Sequence, residues 1–200
     1  MECDHFAWLG RNHRIPAKTE KRMNGWRPGD RRPDSASMLR VNQAGEYGAT
    51  RIYAGQLAVL AKGSHAAHQI ARMARQEQRH LDRFDALLAM RKVRPTALQP
   101  VWNVAGFMLG AATALISEEA AMACTDAVET EIDLHYSAQI AELGDSDPEL
   151  AADIAEFREE ELEHRDTARA LGAESAPAYP LLTAAIRAGC RVAIGLSKRI

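Results

Sequence analysis

Two stretches of this 200-residue chain repeat one pattern that a buried helix with a charged middle produces. Ile70, Met73, Glu77, His80, Phe84 and Leu87 are separated by steps of 3, 4, 3, 4 and 3, and Ile154, Phe157, Glu161, His164, Ala168 and Leu171 follow the same steps. Such steps trace one stripe along an α-helix. Each stripe is apolar except at its centre, which carries Glu-x-x-His. A carboxylate and an imidazole inside an apolar stripe are costly unless compensated, and a metal ion compensates both at once.

The repeat extends upstream. Glu46 precedes Glu77 by 31 residues, and Glu129 precedes Glu161 by 32. Tyr53, Gln56 and Leu60 recur at a constant offset of 83 as Tyr136, Gln139 and Leu143. The chain therefore reads as two copies of a helix pair, with Glu on the first helix and Glu-x-x-His on the second. The turn formers Lys62-Gly63-Ser64 and Gly144-Asp145-Ser146-Asp147-Pro148 fall midway between the paired glutamates. A hairpin turning there returns both ligands to one height, about 22 Å from the turn at about 1.5 Å per residue. Helices are predicted from about Asp34 to Leu60, from Ser64 to Met90, through Glu129 to Leu143, and from Asp147-Pro148 to Gly172. The prediction is all-α: a four-helix bundle with an apolar crossover segment and an extra C-terminal amphipathic helix.

Composition narrows the function. A net charge of −2 gives no electrostatic reason for a nucleic-acid partner. Three cysteines, Cys3, Cys124 and Cys190, without C-x-x-C spacing, fit a reducing compartment and no disulfide framework. Residues 1–37 are arginine- and proline-rich without a signal-peptide core; they read as a poorly ordered tail before a domain spanning 38–200. No charge occurs between Pro95 and Ser117. Pro100, Asn103, Gly106 and Gly110 argue against a membrane span there and for a crossover helix with a greasy exposed face. Beyond Pro180, Arg187, Arg191 and Lys198 share one side of a helical projection, with Leu182, Ile186, Ala193, Leu196 and Ile200 opposite. That is the pattern of a basic interfacial helix, or of a fifth helix capping the bundle.

Four carboxylates and two imidazoles at one level describe a carboxylate-bridged dinuclear centre. Glu46, Glu77, His80, Glu129, Glu161 and His164 are its predicted metal ligands. Glu77 and Glu161 would bridge, and Glu46 and Glu129 would be terminal. Oxygen and nitrogen ligation without thiolate suits iron or manganese. Glu159, Glu160 and Glu163 lie off the ligand stripe and are assigned outward-facing positions; Glu118, Glu119 and Glu131 are likewise off the stripe. His65 and His68 form a solvated pair at the turn. His135, six residues after Glu129, is a candidate to hydrogen-bond a ligand carboxylate or carry protons, or else an ordinary structural histidine. Tyr53 and Tyr136 read as core residues before they read as donors to the ligands.

The run Arg40-Val41-Asn42-Gln43-Ala44-Gly45-Glu46-Tyr47-Gly48-Ala49, with Arg51-Ile52-Tyr53-Ala54-Gly55-Gln56, closely resembles the demethoxyubiquinone hydroxylases, which are ferritin-like di-iron monooxygenases. The resemblance continues through Trp102-Asn103-Val104, Ala121-Met122-Ala123-Cys124-Thr125, Glu160-Glu161-Leu162-Glu163-His164 and Ala188-Gly189-Cys190-Arg191-Val192-Ala193-Ile194. It implies two iron ions on the six residues above and dioxygen as co-substrate. One oxygen atom enters the ring of a polyprenyl methoxy-methyl-benzoquinol and the other leaves as water. Electrons come from NADH or the quinol pool. The partners it implies are a membrane-embedded quinol, a peripheral membrane surface, accessory proteins of ubiquinone biosynthesis and a homodimer. Its location is the cytoplasmic face of a bacterial inner membrane, or the matrix face of the mitochondrial one. The rival readings are a ferritin-like iron-handling or ferroxidase protein and a purely structural bundle.

Overall fold

The computed structural model describes residues 33–200. Six helices follow one another: α1 (Ser35–Val59), α2 (His65–Arg91), α3 (Gln99–Ile116), α4 (Glu118–Leu143), α5 (Pro148–Ala170) and α6 (Tyr179–Ser197), with a short 3-10 turn at Ala173–Ser175. Each helix of the predicted bundle starts on a side chain that accepts a backbone N–H left free in the first turn. Asp34 accepts from Ser37 at 3.0 Å, Ser64 from Ala67 at 3.1 Å, Ser117 from Ala120 at 3.1 Å and Asp147 from Leu150 at 3.3 Å. The hairpin turns fall at residues 60–64 and 144–147, where the ligand spacing places them. Of the proposed tail, residues 1–32 lie outside the described residues, and α1 already begins at Ser35.

The antiparallel hairpins α1–α2 and α4–α5 form the bundle. Their apolar stripes meet inside it: Ile70, Met73, Phe84, Leu87, Ile154 and Ala168 have no solvent exposure. Helices α3 and α6 make a further layer against α1 and α4. Glycine decides how close α3 comes. A Cβ on Gly110 would lie 1.9 Å from the Ile52 carbonyl oxygen, and one on Gly55 would lie 2.1 Å from that of Phe107. Gly55 thus admits the backbone of α3.

The outer layer revises the reading of the C-terminal helix. Arg187 and Arg191 of α6 turn inward and donate to Glu131 of α4 at 2.6 and 2.7 Å. The outward face of α6 carries Leu181, Val192 and Leu196, and that of α3 carries Val104, Met108 and Leu115. The outer faces of both helices thus carry exposed apolar side chains, with Arg191, Lys198 and Arg199 exposed beside them. No helix among the described residues is long and apolar enough to cross a membrane.

Candidate metal centre

All six predicted ligands are buried, at 0 or 1% exposure. Glu46 comes from α1, Glu77 and His80 from α2, Glu129 from α4, and Glu161 and His164 from α5. They form two quartets, Glu46–Glu77–His80–Glu161 and Glu77–Glu129–Glu161–His164, each offering ligand atoms within 4.8 Å of one another. The quartets share Glu77 and Glu161, the two predicted to bridge. His80 Nδ1 lies 3.1 Å from Glu161 Oε1 and 3.5 Å from Glu46 Oε2. His164 Nδ1 lies 2.9 Å from Glu161 Oε2 and 3.1 Å from Glu77 Oε1. Both imidazoles therefore aim Nδ1 at the cluster and Nε2 away from it.

Eight buried atoms at this point have no hydrogen-bond partner: Glu46 Oε2, Glu129 Oε2, both oxygens of Glu77 and of Glu161, and Nδ1 of both histidines. Orphaned buried polar atoms are rare and expensive. Here they converge, and all are of types that bind hard or borderline divalent cations. The residues fit a pair of metal ions. The competing compensator is the proton. Burial and the neighbouring carboxylates hold the Glu77 and Glu129 carboxyls well above the usual range. Burial pushes Glu161 the same way, but the imidazoles of His164 and His80 outweigh it and bring its carboxyl to about 2. Burial disfavours charge on His80, yet Glu161 and Glu46 raise it to about 10.

The supporting side chains cross between repeats. The Tyr53 hydroxyl donates to Glu129 Oε1 at 2.7 Å, and that of Tyr136 donates to Glu46 Oε1. The tyrosines are thus donors to ligands as well as buried packing groups, contrary to the reading that ranked packing first. His80 Nε2 meets Glu160 Oε2 at 3.2 Å, and His164 Nε2 meets Gln76 Oε1 at 3.2 Å. Glu160, expected to face solvent, lies in the groove between α5 and α2. The signal that marks it in sequence is the repeat itself, because Gln76 and Glu160 each immediately precede a glutamate shared by both quartets. Of the two readings of His135, its contacts match the structural one. Its Nε2 pairs with the Gln139 amide at 2.8 Å, and Gln139 in turn exchanges two hydrogen bonds with Asn42. Burial, then Lys198, push His135 down to about 4, so it sits neutral in a structural amide network. Glu131 is off the ligand stripe, as predicted, but buried and paired to α6. His65 and His68 are exposed.

On the far side of α1 and α4 from α2 and α5 lies an apolar cavity of about 570 Å³, walled also by α3 and α6. Gly45 and Ala49, on either side of Glu46 in the chain, and Val128, beside Glu129, line it. Glu131 is the charged residue of its wall.

A helical bundle that buries two glutamates and two Glu-x-x-His pairs at one level belongs to the ferritin-like class of carboxylate-bridged dinuclear proteins. Within that class the chain belongs to the family described as "Ubiquinone biosynthesis protein COQ7", whose profile matches residues 33–197. It is similar to the 3-demethoxyubiquinol 3-hydroxylase of Rhodospirillum rubrum, with 54% identity over 175 residues, 86% of this chain and 82% of that protein. The mitochondrial NADPH-dependent 3-demethoxyubiquinone 3-hydroxylase of Homo sapiens is 53% identical over 82% of this chain and 76% of its own length. The mitochondrial 5-demethoxyubiquinone hydroxylase of Saccharomyces cerevisiae is 43% identical over 82% and 77%.

Proposed function

We propose that this chain hydroxylates the ring of demethoxyubiquinol, a polyprenyl methoxy-methyl-benzoquinol, in ubiquinone biosynthesis, with two iron ions held by Glu46, Glu77, His80, Glu129, Glu161 and His164. The observation that carries the reading is the pair of buried ligand quartets sharing Glu77 and Glu161. The bound iron pair would supply the reduction of dioxygen. The chain's own residues do the rest. Tyr53 and Tyr136 fix the outer oxygens of Glu129 and Glu46, leaving Oε2 of each directed at the cluster. The Nε2 hydrogen bonds of both histidines keep Nδ1 as the free lone pair. The apolar cavity takes the quinol ring and excludes bulk water, and Gly45 and Gly48 leave part of its α1 wall bare between Val41, Ala44, Ala49 and Ile52.

A polyprenyl substrate resides in a bilayer. The apolar outer faces of α3 and α6 support peripheral attachment there, on the cytoplasmic face of a bacterial inner membrane or the matrix face of a mitochondrial one. The human relative's name specifies NADPH, so a reduced nicotinamide is the donor we assign. Iron storage, the alternative, draws no support from the relatives, which are named hydroxylases. The test is metal content together with turnover of a short-chain demethoxyquinol. Two iron ions per chain and loss of both metal and product in Glu161→Ala are expected. A metal-free wild-type protein that still turns over, or a fully active Glu161→Ala, would overturn the assignment.

A further inference from the structure

The two halves of the centre are related by the sequence repeat at nearly every contact. Glu46 matches Glu129, Glu77 matches Glu161, His80 matches His164, and Tyr53 matches Tyr136 with the same crosswise hydrogen bond. Among the hydrogen bonds to the six residues, the equivalence fails at one position. Behind His80 stands the carboxylate of Glu160, and behind His164 stands the amide of Gln76. The two are joined, because Gln76 Nε2 donates to Glu160 Oε2 at 3.0 Å. A continuous chain thus runs from His164 Nε2–H to Gln76 Oε1, through the amide to Glu160, and back to His80 Nε2–H. Arg79 closes it from the solvent side, donating to Glu160 at 2.8 Å.

A carboxylate accepting an imidazole N–H makes a stronger, charge-assisted bond than an amide oxygen does, and it raises the donor strength of the opposite ring nitrogen. We propose that the Gln76–Glu160 pair makes the two metal positions inequivalent, so that the position built on Glu46 and His80 holds a divalent ion more tightly than that built on Glu129 and His164. Glu160 and Gln76 are positioning residues, acting through the imidazoles. The inference rests on the metal-centre reading given under the proposed function.

Anaerobic titration of the full-length protein with cobalt(II) against a competing chelator tests it. Three proteins are compared: wild type, Glu160→Gln, and the exchange Gln76→Glu/Glu160→Gln, which keeps in mirror image the hydrogen bonds to the two imidazoles and the one between residues 76 and 160, with Arg79 left in place. The two stepwise affinities in wild type should be separated by about tenfold more than in Glu160→Gln, within the 10- to 100-fold range of such supporting contacts. The exchange should restore the separation. The order of filling is read from the cobalt-shifted imidazole N–H resonances. His80 is assigned by its stacking on Phe157 at 4.1 Å and His164 by its edge contact with Tyr53 at 6.4 Å. His80 should fill first in wild type and His164 first in the exchange variant. If Glu160→Gln does not fold, this reversal alone decides. Equal separations in all three proteins, or an unchanged order, would overturn the inference while leaving the metal centre intact. A folded wild type that binds no cobalt would remove the metal centre and this inference together.

Discussion

Replacing Gly110 with alanine tests the link between the outer helical layer and the cavity. The added Cβ would sit 1.9 Å from the Ile52 carbonyl oxygen, 2.8 Å from its carbon and 3.0 Å from its Cα, all backbone atoms of α1. No side chain can rotate aside. A carbon and a carbonyl oxygen need roughly 3.3 Å, so α3 must move off α1 by about 1.4 Å or bend. Overpacking of this kind costs about 1–3 kcal/mol, and a clash confined to backbone belongs at the upper end. Alanine returns about 1 kcal/mol of helix propensity. The net loss is about 2 kcal/mol, or a fall in Tm of about 4–8 °C for a chain of this size. Gly189→Ala, in mid-helix with nothing within 4 Å of its Cβ position, is the control for stability alone, because Gly189 lines the cavity. It should gain up to about 1 kcal/mol. Gly110→Ala should keep its metal stoichiometry, because the ligand cluster faces the other side of α1, while KM for a short-chain quinol rises as the cavity wall shifts. Calorimetry, metal analysis and steady-state kinetics read the three quantities. A Gly110→Ala protein at least as stable as wild type, with unaltered KM, would refute the packing argument.

Other consequences follow from the site and surface. The metal-free protein should lose stability as pH rises. Glu77 and Glu129 have raised carboxyl values, so their contribution falls away from the ordinary carboxylate range upward. That of His80 is complete below about 6.5 and lost as pH climbs through about 10. Metal loading displaces those protons, so the Tm gap between loaded and chelated protein should widen with pH, and titration in buffers of different ionisation heat should show proton release. Tyr53→Phe and Tyr136→Phe each remove a donor from a buried ligand carboxylate and should weaken one metal step about tenfold, measured by competitive chelation. Membrane binding should come mainly from apolar contact, since Arg187 and Arg191 are paired to Glu131 and leave Lys198 and Arg199 as the exposed cations at the end of α6. Vesicle flotation should therefore resist high salt, and Val104→Asp or Val192→Asp should each lower partitioning about tenfold, the equivalent of about 1.5 kcal/mol for a buried valine.

The buried cluster was legible because two independent regularities coincide on its Glu-x-x-His pairs, the 3–4 stepping of a buried stripe and the recurrence of that stripe after 84 residues. Either alone would leave Glu159, Glu160 and Glu163 as competitors for Glu161. Helix ends were legible at Asp34, Ser64 and Asp147, where local capping chemistry dominates. The outer layer was not. Nothing near Arg187 and Arg191 in sequence points to Glu131, which lies 56 and 60 residues away, so a helical projection sees two free cations where the fold makes an ion-paired cluster. Glu160 was misread for a related reason. It stands about 100° from the ligand stripe of its own helix, which means solvent for an isolated helix. In the bundle that angle points into the groove occupied by the edge of His80.

The supporting contacts have one property that periodicity cannot convey. Tyr53 holds Glu129, Tyr136 holds Glu46, Glu160 holds His80 and Gln76 holds His164. Every one runs from one helical hairpin to a ligand on the other. The shared carboxylates do likewise, since Glu77 also belongs to the quartet of His164, and Glu161 to that of His80. Neither hairpin can assemble a metal position by itself, although each carries three of the six ligands. Metal affinity is therefore coupled to docking of α1–α2 on α4–α5, and a loosened hairpin interface must cost affinity at both positions together. Loss of Tyr53 or Tyr136 weakens the two positions unequally, and that difference separates a local defect from a docking defect in a single titration.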